Sequence, residues 1–174
     1  SDKNDLNKDG KVLDGENGSQ NEKNDDLVES TAKIYFSKYD EKRNKPVLVA
    51  FSRKIKHGEQ KIENKILAAM KVLLTGLNKA DEEKGFITGI PEGIKIISLQ
   101  LEDNTLKINF NAAFGYNRFG IEGFRLQLAQ IVYTVTEFAD VRQVLIEING
   151  KKVKYLGGEG VVIDKPLRRK DIKI

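Results

Sequence analysis

The sequence has no cysteine and no tryptophan, one histidine, one methionine and three prolines in 174 residues. Without cysteine the chain holds no disulfide, no thiol nucleophile and no thiolate metal site. A single histidine, His57, leaves one imidazole for a hydrolytic triad or a transition-metal site, and both need further positioned partners. His57 stands beside Gly58 in a stretch that reads as a connection, where a turn residue is the simpler assignment. No run reaches the ~18 apolar residues a spanning helix requires. No secretory signal is visible either. The chain starts abruptly in a polar stretch at Ser1, as expected where an upstream targeting or anchor segment has been removed.

Apolar residues are scarce at one end. Between Ser1 and Glu29 the large ones are Leu6, Val12, Leu13, Leu27 and Val28, too few to repay the entropy of ordering. Residues 1–29 therefore read as a disordered polar tether, residues 30–165 as a folded domain and residues 166–174 as a basic C-terminal tail. Charge follows the same division. The leader holds four lysines against nine acids, a net of −5, whereas residues 30–174 carry 26 bases against 17 acids, a net of +9. A basic body behind an acidic leader suits an anionic partner such as nucleic acid, lipid head groups or a wall polymer, and equally suits plain solubility.

The domain reads as strands in pairs, with helices between them. Residues 31–37 are rich in β-formers, and Val47, Val49, Phe51, Arg53 and Ile55 alternate as a second strand. Ile62, Ile66, Met70, Leu73 and Leu77 recur at helical spacing, predicting a helix over 60–77. Strands over 94–101 and 106–110 flank an Asp103-Asn104 turn. Phe124, Leu128, Ile131 and Val135 predict a second helix over 121–138. A strand over 141–148 returns through Asn149-Gly150, a strong type I′ signal, into an arm at 151–155. The end from Gly157 is expected to be mostly irregular. The order ββαββαββ argues for an α+β fold, a small mixed or antiparallel sheet with two helices on one face.

Few residues suggest chemistry. Glu82 and Glu83 are neighbours in a polar loop and read as solvated, not as an acid–base pair. Gly157-Gly158-Glu159-Gly160 precedes a β-like run instead of a helix, unlike a phosphate cradle. Tyr35, Phe51 and Phe110 are interleaved with aliphatics like core residues, unlike the aromatics of RNA-binding sheets. The sharpest pattern is in the leader, where Asp5, Asn7, Asp9, Gly10, Lys11 and Glu16 fit the calcium-loop template. Its flanks are not helical, and chance matches are common in so polar a stretch. The leading expectation assigns no catalytic, cofactor-binding or metal residue. Calcium binding in the leader and nucleic-acid binding by the basic body remain alternatives.

From Thr31 onward the chain resembles the GerMN domain, the sporulation and spore germination family. The resemblance is carried by Ile34-Tyr-Phe36, Ile66 to Gly76, Thr88-Gly-Ile-Pro-Glu-Gly93, Ile108-Asn-Phe110, Gln130 to Phe138 and Val141 to Gly150, in the family's order. None of these is a catalytic motif. The resemblance implies a non-enzymatic, extracytoplasmic domain that presents surfaces for assembly instead of a pocket. It further implies a lipoprotein of the cell envelope, anchored through an N-terminal lipidated cysteine outside this chain. The implied partners are other envelope proteins or further copies of the domain; separately, the bases of the chain, including Arg168, Arg169 and Lys170, suit contact with anionic lipid or wall polymer.

Overall fold

The computed structural model describes residues 27–58, 61–158 and 160–174. The calcium-loop pattern from Asp5 to Glu16 and the leader up to residue 26 lie outside the described residues.

Two 13-residue strands open the domain. β1 (Val28–Asp40) and β2 (Lys45–His57) pair antiparallel from Val28↔His57 to Asp40↔Lys45. Both run beyond their alternating apolar stretches, because ladder pairing carries the backbone past the residues that mark it. Asp40 closes the turn, its carboxylate accepting from the amides of Lys42 and Arg43 at 2.9 and 3.2 Å.

Helix α1 (Ile62–Thr75) buries Ile66, Ala69, Met70 and Leu73, the spacing of one helical face. It stops at Gly76, whose φ of 88° lies in the left-handed region that favours glycine. The polar segment after it, expected as a loop, forms the short helix α2 (Lys79–Glu83). Asn78 caps it by accepting from the Asp81 amide at 2.8 Å, and the Asp81 carboxylate receives Arg53 at 3.0 Å. β3 (Phe86–Ile87) then pairs with the far side of β1.

β4 (Ile96–Glu102) and β5 (Thr105–Phe110) form the expected hairpin. Asp103 and Asn104 both have positive φ, 49° and 61°, as a type I′ turn demands. From β5 the chain crosses through α3 (Gly120–Val135) to β6 (Gln143–Ile148), which lies parallel to β5. A parallel neighbour requires such a long crossover. Asn149-Gly150 then turns β6 into β7 (Lys151–Lys152).

The α+β class agrees with the sequence reading, and the expected elements occur in their order with α2, β3 and the last two strands added, but the strands fall into more than one sheet. β2-β1-β3 is antiparallel, β4-β5-β6-β7 is mixed, and β8 (Tyr155–Leu156) pairs with β9 (Val161–Val162). Helices α1 and α3 both contact β1 and β2 and each other, and one hydrophobic cluster joins them to both larger sheets. Eleven of the 16 residues of α3 are buried, so it lies inside the fold instead of lining its surface. The end of the chain is more ordered than expected. Leu167 is buried and exchanges two main-chain hydrogen bonds with Val144, at 2.7 and 2.9 Å. The apolar Leu167 and Ile172, set among bases, hold the basic segment 166–174 against the core.

Candidate interaction surface

Three buried amide side chains organise one end of α3. Gln130 accepts from the Gly89 amide at 2.6 Å and donates to the Tyr35 carbonyl and the Thr88 hydroxyl, each at 3.1 Å. Asn117 donates to the Gly89 carbonyl and to Gln127, each at 3.0 Å, and accepts from the Phe119 amide at 3.1 Å. Gln127 donates to the Phe114 carbonyl at 3.1 Å. A buried polar network is stabilising when its members are satisfied, and here each amide has both donor and acceptor roles filled. Its consequence is positional: the segments 88–90 and 114–119 are both tied to α3 and so to each other.

Two glycines permit that approach. A Cβ on Gly89 would meet the Leu126 side chain at 2.6 Å, and one on Gly123 would meet the Asn117 carboxamide at 2.0 Å. Alanine at Gly89 would have to displace Leu126, and alanine at Gly123 the Asn117 carboxamide of the network.

The two tied segments separate two open clefts. One, of about 450 Å³, is bordered by Thr88–Glu92 and Tyr116–Phe119. The other, of about 610 Å³, has Leu77 and Leu126 on its walls, Phe86 to Gly89 along one side and Arg118 and Phe119 on another. Large apolar side chains gather here in the open: Ile87, Tyr116 and Phe119 are 42%, 71% and 62% exposed. The Arg118 guanidinium lies 4.6 Å from the Phe119 ring centroid and has no ion pair among the described residues. Exposed aromatics beside an arginine, next to an apolar cleft, are the composition of binding hot spots.

A second polar cluster pins the end of the chain. Arg169 lies over the rings of Tyr133 and Tyr35, 4.5 and 5.6 Å from their centroids. It donates to the Tyr133 carbonyl at 3.0 Å, the Thr136 hydroxyl at 2.7 Å and Glu137 at 3.1 Å. The Tyr35 hydroxyl also donates to Glu137. Burial, then the bond to Glu137, raises the Tyr35 phenol above its ordinary value. That hydrogen bond, helped by Arg169 and opposed by partial burial, holds the Glu137 carboxyl below its own. Arg169 thus spends its donors inside the domain, while Arg168 and Lys170 stay exposed.

The other residues singled out in the sequence fall elsewhere. His57 is the buried last residue of β2 and not a turn residue; its ring meets the Ser30 hydroxyl at 2.9 Å and the Gly58 carbonyl at 3.0 Å. Glu82 and Glu83 are exposed on α2. Gly157 and Gly158 lie in the β8–β9 connection, both with positive φ. Among the described residues no group of three or more potential metal ligands comes together. The residues that build the clefts were not foreseen. The available signal was Gln127 and Gln130, polar amides beside the apolar face of a predicted helix, and the unbroken Tyr-Asn-Arg-Phe run at 116–119.

The family model described as Germane, sporulation and spore germination, matches residues 33–154. Among solved structures, the tandem GerMN domains of the sporulation protein GerM from Bacillus subtilis are 25% identical with a TM-score of 0.64, covering 82% of this chain and 46% of that one. This chain thus spans about half the length of that relative. The first GerMN domain of the same protein is 23% identical with a TM-score of 0.59, covering 82% and 99%. A putative lipoprotein from Clostridium perfringens is 19% identical with a TM-score of 0.57, covering 84% and 90%. No curated protein matches.

Proposed function

The chain belongs to the sporulation and spore germination family, and on that premise we propose that its domain is a non-catalytic interaction module of a bacterial cell envelope. The observation that carries this reading is the exposed cluster of Ile87, Tyr116, Arg118 and Phe119 around clefts that a buried amide network holds in shape. Rigid apolar surface with a stacked arginine stabilises a complex because little ordering entropy remains to be lost on binding. Placement outside the cytoplasm is supported by the likeness to GerM and to a putative lipoprotein. In this reading a lipidated segment beyond this chain supplies the anchor, and the polar leader spaces the domain from it. The partners are other envelope proteins or further copies of the domain.

The test is photo-crosslinking in the native cells with the reactive side chain placed at Phe119 or, as a control, at the exposed Asp103. Asp103 belongs to the turn whose Asn104 reaches Asp140, beyond the opposite end of α3. That helix has 16 residues, ~24 Å at 1.5 Å per residue. Discrete adducts in the envelope fraction from position 119 and not from 103 are expected. Adducts from neither position, or a chain confined to the cytoplasm, would overturn the reading.

A further inference from the structure

We propose that the cleft beside β3 takes an extended strand from a partner protein, with apolar side chains at alternate positions and a carboxylate facing Arg118. The inference rests on the interaction reading above and adds to it the kind of chain that is bound.

The first observation is an open sheet edge. β3 pairs with β1 through Lys38↔Phe86 and Ser37↔Ile87, and has no strand on its other side among the described residues. In an antiparallel ladder one of two successive residues turns both its N–H and its C=O away from the partner strand. β3 therefore offers a donor and an acceptor to a further strand. Four consecutive residues, Phe86 to Gly89, border the cleft, so the segment that carries this edge runs along it.

The second is that the longer edges, β2 and β4, are blunted. β2 carries Lys45, Arg53, Lys54 and Lys56. β4 is interrupted by an irregularity between Ile96 and Ser98. Charged edges and bulges are among the means by which sheets discourage strand addition, as is a short edge strand. The edge at Phe86-Ile87 is short but carries neither charge nor bulge, and its apolar surroundings, Leu77, Leu126 and Phe119, suit the alternate side chains of an added strand.

The third is charge. Glu122, on the rim, is engaged by Arg125 at 2.9 Å, whereas Arg118 has no carboxylate partner among the described residues. A cation stacked on an exposed ring and free of an ion pair selects a strand that brings an acid to it. The amide network fixes Gly89 at both its N–H and its C=O, so the receiving edge is preformed.

The experiment is selection of short random peptides, displayed on phage, against the whole chain. Enriched sequences are then synthesised for titration and for amide shift mapping. We expect alternating apolar residues with an Asp or Glu, and shifts at Phe86 to Gly89 and Arg118 to Leu126. Arg118→Glu is expected to weaken binding by about tenfold or more, and a peptide whose acid is replaced by lysine to regain the loss on that variant. Ile87→Lys, at an exposed position, is expected to abolish binding while leaving the remaining spectrum intact. Enriched peptides with helical spacing, shifts confined to β2 or β4, or an Arg118→Glu effect within about twofold would overturn the inference. So would failure to enrich any peptide while Phe119 adducts still form in cells, which leaves the interaction reading standing. Loss of the adducts themselves overturns that reading instead.

Discussion

At the scale of single residues, Gln130 is the side chain on which most of the candidate surface depends. It is fully buried and serves three groups: the Gly89 amide, the Tyr35 carbonyl and the Thr88 hydroxyl. Replacing it with leucine keeps the bulk and removes every partner. A buried main-chain group left unsatisfied costs about 1–3 kcal/mol, so Gln130→Leu is expected to lower unfolding free energy by about 2–4 kcal/mol in a urea titration. The loss has a place as well as a size: the Gly89 amide should gain in hydrogen-exchange rate more than amides of β1 do. The sequence carries the glutamine but not this reading of it. Periodicity marks Phe124, Leu128, Ile131 and Val135 as the inward face of a helix, and that helix is there. It assumes one buried face, and α3 is covered on nearly all sides, so a polar residue off the stripe reads as solvent-facing when it is not. Asn117 escapes notice for a related reason. A loop asparagine reads as turn chemistry, whereas here it holds two segments together across the chain.

At the scale of elements, strand and helix identity follow from local pattern, while pairing depends on where the chain closes. The β1–β2 hairpin, α1, the β4–β5 hairpin, α3 and the Asn149-Gly150 turn all stand near their expected positions. The division into separate sheets and the parallel β5–β6 pair do not appear in any window of sequence, because they are set by the crossover through α3. The C-terminal segment shows the same limit. Its bases suggest a solvated tail, yet Leu167 bridges antiparallel to Val144 of β6 and Arg169 docks between Tyr35, Tyr133 and Glu137. This docking is expected to depend on pH at both extremes. Glu137 titrates below its unfolded value, so its contribution is present above the ordinary glutamate pKa of about 4.3 and is lost as pH falls through the lower folded value. Tyr35 titrates above its unfolded value, so its contribution is complete below about pH 10 and is lost as pH rises through the higher folded value. Protection of the Leu167 amide, its exchange rate corrected for the intrinsic pH dependence, should therefore be greatest between these limits, and Glu137→Gln should flatten the acid side and also bring the alkaline loss to lower pH, because Glu137 helps to raise Tyr35. An unchanged acid limb in that variant would show that Glu137 does not set it.

At the scale of the whole molecule, the distribution of charge separates three kinds of contact: with a second copy, with an anionic surface and with a partner's strand. Residues 30–174 carry +9 and the first 29 residues −5, leaving the chain at +4. Two copies brought together through the apolar clefts place like-charged bodies side by side. Salt screens that repulsion, with a Debye length of ~10 Å at 0.1 M, so self-association should strengthen or hold as salt rises. Contact with anionic lipid or wall polymer is attractive in the same field, so it should weaken over the same range. The apolar and hydrogen-bonded contacts of an added strand respond little, and only its acid opposite Arg118 feels the screening. Sedimentation of the chain across concentration, alone and with phosphatidylglycerol vesicles, at about 0.05 and 0.5 M salt resolves the cases. We expect vesicle binding to fall sharply at the higher salt while any self-association persists. Vesicle binding indifferent to salt would show that the cations, Arg168 and Lys170 among them, do not carry the contact. Because Arg169 is held inside the domain by Glu137 and two aromatic rings, Arg169→Ala should change vesicle binding less than Lys170→Ala does, although it removes the same charge.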